Sequence, residues 1–248
     1  QFSLAQVGRG APLVGRGRVA PLEAGGARLA LGEIRFTAAG NGRTRFATIV
    51  SLDGPFSGGQ VTGLTLPVNG RFGPSGVAIG DSCVGARFAS LRVQNLRLGP
   101  ASLPLCPTGP ALVWQSGGRL HAGASLRSPQ FSGRLGSTPI TLAASSLWVD
   151  LDGFAASSLA ARLGPSTSVN RLDVASLGGR FGNGGVGGPF AGLSGDLANV
   201  PLLLSEGSGQ WQLREGDLAL DGNVRVADKQ DPARFSPLVS DDFRLTLA

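Results

Sequence analysis

Few side chains in this sequence are equipped for chemistry. Its 248 residues include one histidine, His121, and no Gly-x-Ser-x-Gly elbow that would pair it with a nucleophilic serine. His121 also lacks a second histidine, or a cysteine or carboxylate at ligand spacing, from which a zinc site is built. In Leu120-His121-Ala122 it reads as a polar-face strand residue. Asp150 and Asp152 flank Leu151, and Asp241 adjoins Asp242, so each pair has the residue types of a glycosidase. Both are read as turn residues instead, with Asp152-Gly153 ending a strand and Asp241-Asp242 preceding one. The run Gly182-Asn183-Gly184-Gly185-Val186-Gly187 satisfies Gly-x-Gly-x-x-Gly, a pattern that sets a helix N-terminus against a pyrophosphate. Pro189 and further glycines follow it, so a hairpin connection is expected. Cys83 and Cys106 are the only cysteines, 23 positions apart. They would be unrelated thiols in a reducing compartment, whereas an even count favours a bridge in an exported protein. The expectation is no enzyme, no metal and no cofactor.

The elements that carry these residues follow from composition and periodicity. Gly 40 and Pro 16 give many breakers, while 42% apolar and 15% charged residues argue against disorder. Short strands joined by many turns satisfy both numbers. Apolar residues alternate with polar ones at Ile34 and Phe36, Leu64 and Leu66, Val77 and Ile79, Leu91 and Val93, Leu96 and Leu98, and Leu103 and Leu105. The spacing continues at Ile140 and Leu142, Leu147, Val149 and Leu151, Leu172 and Val174, Trp211 and Leu213, Leu218 and Leu220, Val224 and Val226, and Phe243, Leu245 and Leu247. Each run therefore has one apolar and one polar face. Turns are expected at Asn69-Gly70, Gly117-Gly118, Glu215-Gly216-Asp217 and Asp221-Gly222. Phe154 to Leu163 has helical spacing between Leu159 and Leu163, but Leu159, Ala161 and Leu163 also alternate, and it is read as a strand. Gly-Arg-apolar triplets recur at Gly70-Arg71-Phe72, Gly118-Arg119-Leu120, Gly133-Arg134-Leu135 and Gly179-Arg180-Phe181, each expected to open a strand. The fold class is all-β, and the alternation fits both an elongated, curved antiparallel sheet of many short strands forming an open apolar groove and a closed β-sandwich or β-solenoid.

The net charge of +6 rests on 22 Lys and Arg residues, of which only Lys229 is a lysine. The arginines are spread at strand spacing, as at Arg87, Arg92 and Arg97, which describes a solvated face and not a nucleic-acid site. No segment approaches the roughly 20 apolar residues of a membrane-spanning helix, and Gln1 to Ala20 lacks the apolar core of a signal peptide. No methionine opens the sequence and Phe243 to Ala248 reads as strand to its end, so residues 1–248 are expected to be a segment of a longer polypeptide.

Several stretches resemble the YdbH family of bacterial envelope proteins, relatives of the AsmA-like, TamB and YhdP group. They are Leu52-Asp53-Gly54-Pro55-Phe56-Ser57-Gly58-Gly59, Leu103-Pro104-Leu105-Cys106-Pro107, Phe190-Ala191-Gly192-Leu193-Ser194-Gly195, Val200-Pro201-Leu202-Leu203, and Pro237-Leu238-Val239-Ser240 with Asp242-Phe243-Arg244-Leu245. Residues 1–51 match less distinctly. The resemblance implies a periplasmic segment of an inner-membrane-anchored protein, its anchor lying outside this segment. The implied function is intermembrane phospholipid transport in a bridge whose β-sheet groove holds acyl chains. Partners would be phospholipid acyl chains, the rest of the same polypeptide and a small outer-membrane lipoprotein. It further implies that Cys83 and Cys106 are bonded. The alternative is a non-catalytic structural or adhesive envelope module. In the transport reading, Leu64, Leu66, Val77, Ile79, Leu91, Val93, Leu96, Leu98, Leu147, Val149, Leu218, Leu220, Val224, Val226, Phe243, Leu245 and Leu247 line the groove.

Overall fold

The computed structural model describes every residue except 7, 9, 57, 58, 75, 183, 199, 215, 216 and 248, and only the backbone of Leu247. Among the described residues the period-two pattern has its expected result, 23 strands and no helix, with antiparallel pairing. The chain divides into two units, Gln1–Gln94 with Leu98–Leu126, and Asn95–Arg97 with Arg127–Ala248.

In the first unit, β1 (Phe2–Ala5), β2 (Leu13–Gly17), β3 (Leu22–Ala24), β4 (Ala27–Leu31) and β5 (Ile34–Ala38) are short. They lead to two long neighbours, β6 (Thr44–Phe56) and β7 (Gly59–Gly73). Rows of short strands flank this pair. β5 covers one half of β6 and β4 the other, with Phe36 opposite Phe46 and Leu29 opposite Leu52. Beyond β7 lie β8 (Gly76–Ile79), β9 (Val84–Phe88) and β10 (Ser90–Val93), each paired with its own stretch of β7. After β11 (Leu96–Leu98) come β12 (Ala101–Pro107), β13 (Val113–Ser116) and β14 (Arg119–Arg127). β12 pairs with β9, β13 with β8, and both pair with β14.

The second unit repeats the plan with longer strands. β15 (Gln130–Leu135) and β16 (Thr138–Ala143) form a hairpin, and β16 and β17 (Ser146–Asp150) share one side of β18 (Gly153–Leu163). A meander follows through β19 (Asn170–Gly182), β20 (Gly185–Asp196), β21 (Leu202–Arg214), β22 (Asp217–Asp228) and β23 (Leu238–Leu247).

Each unit has a line of irregularities crossing its long strands. In the second it passes through Ser158 (φ 49), Gly192 (φ 66) and Glu206 (φ 57), with register shifts between Ala191 and Leu193 and between Ser205 and Ser208. In the first it passes through Gly63 (φ 64), with a shift between Leu52 and Gly54. An extra residue in a strand moves the alternation by one place. Phe190 opposite Gly209 and Leu193 opposite Gly207 therefore stand on the same face, although three positions, an odd interval, separate them.

Several turn expectations need correction. Asn69-Gly70 lies inside β7 and Asp221-Gly222 inside β22, because each continues its ladder to a partner, Phe46 opposite Gly70 and Gly209 opposite Gly222. Asp241-Asp242 falls within β23, beside the shift between Gly222 and Val224, so it does not precede the strand. Gly117-Gly118 is a turn between β13 and β14, with φ 57 and 76. Glu215 and Gly216 lie outside the described residues, as do Asn183 of the glycine run and Ser57 and Gly58 of the first family stretch. Of the four Gly-Arg-apolar triplets only the one at Arg119 opens a strand; the other three lie at the ends of β7, β15 and β19. Phe154 to Leu163 is strand, the interval of four between Leu159 and Leu163 being an even one that strand alternation through Ala161 also satisfies.

Cys83 and Cys106 are bonded, with S–S 2.01 Å. Cys106 belongs to β12, where it stands opposite Ser125, and the bridge closes a loop containing β9, β10 and β11. In the chain-entropy picture such a loop is worth about 3 kcal/mol. Replacing both cysteines by serine is expected to lower the unfolding free energy of the first unit by about that amount, read from urea melts.

Between β22 and β23 the chain is fastened by Asp228, whose side chain is out of solvent. Its carboxylate accepts from Arg234 Nε at 2.7 Å and from the backbone N–H groups of Arg234 at 2.7 Å and Gln230 at 3.1 Å. The Arg234 guanidinium, first among these, holds the Asp228 carboxyl well below its ordinary value of 3.8. A depressed carboxylate value means that this contribution to stability is complete above pH 3.8 and is lost only as pH falls toward the folded-state value. A carbon-13 titration of Asp228 should show a midpoint well below 3.8, and Arg234→Ala should return it toward that figure.

Candidate functional site

The residues with catalytic types are occupied structurally. His121 stands opposite Trp114, and the two rings stack with centroids 5.3 Å apart. Asp150 Oδ1 accepts from the N–H groups of Asp152 and Gly153, both at 2.8 Å, closing the turn between β17 and β18. Of the glycine run, Gly182 ends β19 and Gly185 to Gly187 open β20. Among the described residues no three His, Cys, Asp or Glu side chains gather as metal ligands.

What the ladders do build is a face. In the second unit Val149, Phe154, Gly179, Gly188, Trp211, Leu220 and Leu245 follow one another across successive strands wherever the register defines them as opposite. The next row is Leu147, Ala156, Leu177, Phe190, Gly209, Gly222 and Phe243. Beyond the line of irregularities the same face continues with Leu142, Ala161, Leu172, Gly195, Leu204 and Val226. Opposite partners in an antiparallel pair project to one side, so this side is apolar throughout. The reverse side carries Trp148, Ala155, Gly178, Pro189, Gln210 and Asp221 in one row and Arg180, Gly187 and Gln212 in another. The first unit has the same two sides. Val50 faces Leu66, Leu52 faces Leu64, Val61 faces Leu91 and Phe72 faces Val77 on one; Arg45 faces Arg71 and Thr65 faces Arg87 on the other.

The expected groove residues fall on these apolar sides: Leu64, Leu66, Val77, Ile79, Leu91 and Val93 in the first unit, and Leu147, Val149, Leu218, Leu220, Val224, Val226, Phe243 and Leu245 in the second. Leu96 and Leu98 lie on β11, Leu98 being buried. Leu247 stands opposite Leu218 in the ladder, and its side chain is not described. Sequence reasoning left out Phe154, Leu177, Phe190 and Trp211, which occupy the middle of the second face. The parity change at Gly192 hides Phe190, whose alternation pairs it with Leu193 only after one place is skipped.

Pro189 explains the position of Trp211. Proline has no N–H for the carbonyl of Gly178 across the ladder, and the Trp211 indole N–H donates to that carbonyl at 2.7 Å. The Trp211 ring lies 6.0 Å from that of Phe154, which itself fills the space a side chain on Gly179 would need.

These faces are not enclosed. No large side chain among the described residues is fully buried, and Phe72, Phe181 and Leu245 are 48%, 49% and 44% exposed. The chain exposes 15239 Å², whereas two separate compact proteins of half its mass would together expose about 12,000 Å². A β-sandwich of this length would hide an inner face between its sheets. Here most side chains of the apolar sides are half-buried, and Val61, Val68, Ala156 and Phe190 among them are buried.

Each unit is thus an antiparallel sheet arrangement with one polar side and one apolar side. The chain belongs to the YdbH-like family, described as intermembrane phospholipid transport protein YdbH, which matches residues 3–248 and so takes in residues 3–51 as well. A search of curated proteins found no match, and neither did a search of solved structures.

Proposed function

We propose that this chain is a non-catalytic carrier that holds phospholipid acyl chains along the apolar side of its sheets, as one periplasmic stretch of a longer intermembrane bridge. The observation that supports it most is the uncovered apolar face, continuous across seven strands of the second unit. A lipid tail supplies the surface that a second sheet would supply in a sandwich, and burying apolar area against it is favourable by about 25 cal/mol per Å². Family membership supplies the ligand class, since the family's name specifies phospholipid and passage between membranes. The bonded Cys83 and Cys106 fit an oxidising compartment. The proposal is tested by mass spectrometry of lipids extracted from the chain purified from the periplasm without detergent. Phospholipid at a defined ratio to protein is the expected result; protein free of lipid would leave a structural envelope module as the better account.

A further inference from the structure

Two strand ends, one in each unit, have the same construction. At Gly70-Arg71-Phe72 a side chain on the glycine would meet the ring of Phe46, its Cβ 2.6 Å from the nearest ring atom, and Phe46 and Phe72 lie 6.3 Å apart at 41°. At Gly179-Arg180-Phe181 a side chain would meet Phe154, and Phe154 and Phe181 also lie 6.3 Å apart at 41°. In both places the aromatic pair marks the margin of the apolar side, and the arginine between them in sequence projects to the polar side. A cavity lies at each, about 530 Å³ at the first and about 420 Å³ at the second.

Both cavities gather positive charge without matching negative charge. Arg43, Arg45 and Arg71 line the first, and Arg45 stands directly opposite Arg71 in the ladder. Like charges so placed repel; Asp81 pairs with Arg71 at 2.9 Å, while the guanidinium groups of Arg43 and Arg45 have no hydrogen bond or ion pair among the described residues. Arg180 and Arg214 line the second, together with Asp221. Between the two arginines β20 presents only Gly185 and Gly187 on that side, so the floor is bare backbone; a Cβ on Gly185 would lie 2.7 Å from Arg214 Cγ. With the Gln212 amide turned to face it, Arg214 donates to a neutral oxygen at 3.0 Å from both Nε and Nη2. Arg180 has no hydrogen-bond or ion-pair partner among the described residues.

Paired guanidinium groups over exposed backbone suit a phosphate, which accepts several donors at once. We infer that these two arginine-lined strand ends bind the phosphate of a phospholipid headgroup whose acyl chain lies on the apolar side at the adjoining phenylalanine. The inference rests on the acyl-chain reading above and adds a place for the headgroup at the margin of the face.

The test follows the arginine Nε–Hε signals and the leucine methyl signals of the whole chain by NMR during titration with dihexanoylphosphatidylglycerol, inorganic phosphate or octyl glucoside. The lipid should shift Arg180 and Arg214 together with the Leu213 and Leu218 methyls, and octyl glucoside should shift the methyls alone. Arg180→Gln with Arg214→Gln, both at exposed positions, should weaken the lipid at least tenfold and leave octyl glucoside unchanged. Methyl shifts with unmoved arginines would overturn the headgroup site and leave the acyl-chain reading intact. Arginine shifts from inorganic phosphate but not from lipid would overturn the headgroup assignment. Arginine shifts from lipid without methyl shifts would break the link to the apolar face, and the proposed function with it, and no shift from lipid at either place would overturn both.

Discussion

Leu220→Asp should strip lipid from the second unit while leaving the unit folded. Leu220 is half-buried on the apolar face, opposite Trp211 on one side and Leu245 on the other. A carboxylate enclosed by a protein core costs several kcal/mol and would unfold a closed sandwich. On this face the new charge reaches water in the lipid-free state, so the loss should be limited to part of the leucine's burial, about 1 kcal/mol. With lipid bound the same charge would be pressed against acyl chains. The expected result is at least a tenfold fall in co-purifying phospholipid with a cooperative thermal transition retained. Loss of that transition, or wild-type lipid content in a folded variant, would contradict the open-face account.

Gly188→Val is expected to have the opposite signature, a large loss of stability that precedes any question of lipid. Its Cβ would lie 2.6 Å from the carbonyl oxygen and 3.0 Å from the carbonyl carbon of Gly178, which are backbone atoms that no rotamer change can move. That carbonyl is already committed to the Trp211 indole. Separating β19 from β20 would break the ladder at its centre, and a cost above about 3 kcal/mol is expected for strain of this kind. Urea melts of the second unit's transition should show it. A change within about 0.5 kcal/mol would mean that the two strands are not held as described.

The all-β class and the amphipathic alternation were legible because each strand half keeps strict period two between its irregularities. Strand length was not. β7 runs for 15 residues, but the extra residue at Gly63 separates Val61 from Leu64 by an odd interval, so two short strands are read where one long one exists. In β18 the irregularity at Ser158 likewise separates Ala156 from Leu159 by an odd interval. Asn69-Gly70 and Asp221-Gly222 carry turn chemistry in the sequence, yet the first glycine makes room for Phe46 and the second sits at a register shift, both needs that arise from neighbouring strands. The arginines read as an evenly solvated face because their clustering is lateral. Arg43 and Arg45 meet Arg71 only through the pairing of β6 with β7.

The central claim, that acyl chains lie on one side of the sheet, is tested most directly by photocrosslinking with a phospholipid carrying a diazirine in its acyl chain. Adjacent residues on β22 point to opposite sides, and each partner on β21 points to the same side as the β22 residue it faces, so the crosslinked positions report the side without reference to distance along the strand. The account predicts adducts at Leu177, Trp211 and Leu220 and none at Ala219 or Gln212, read by peptide mass spectrometry. Adducts spread equally over both sets, or concentrated on Ala219 and Gln212, would contradict it.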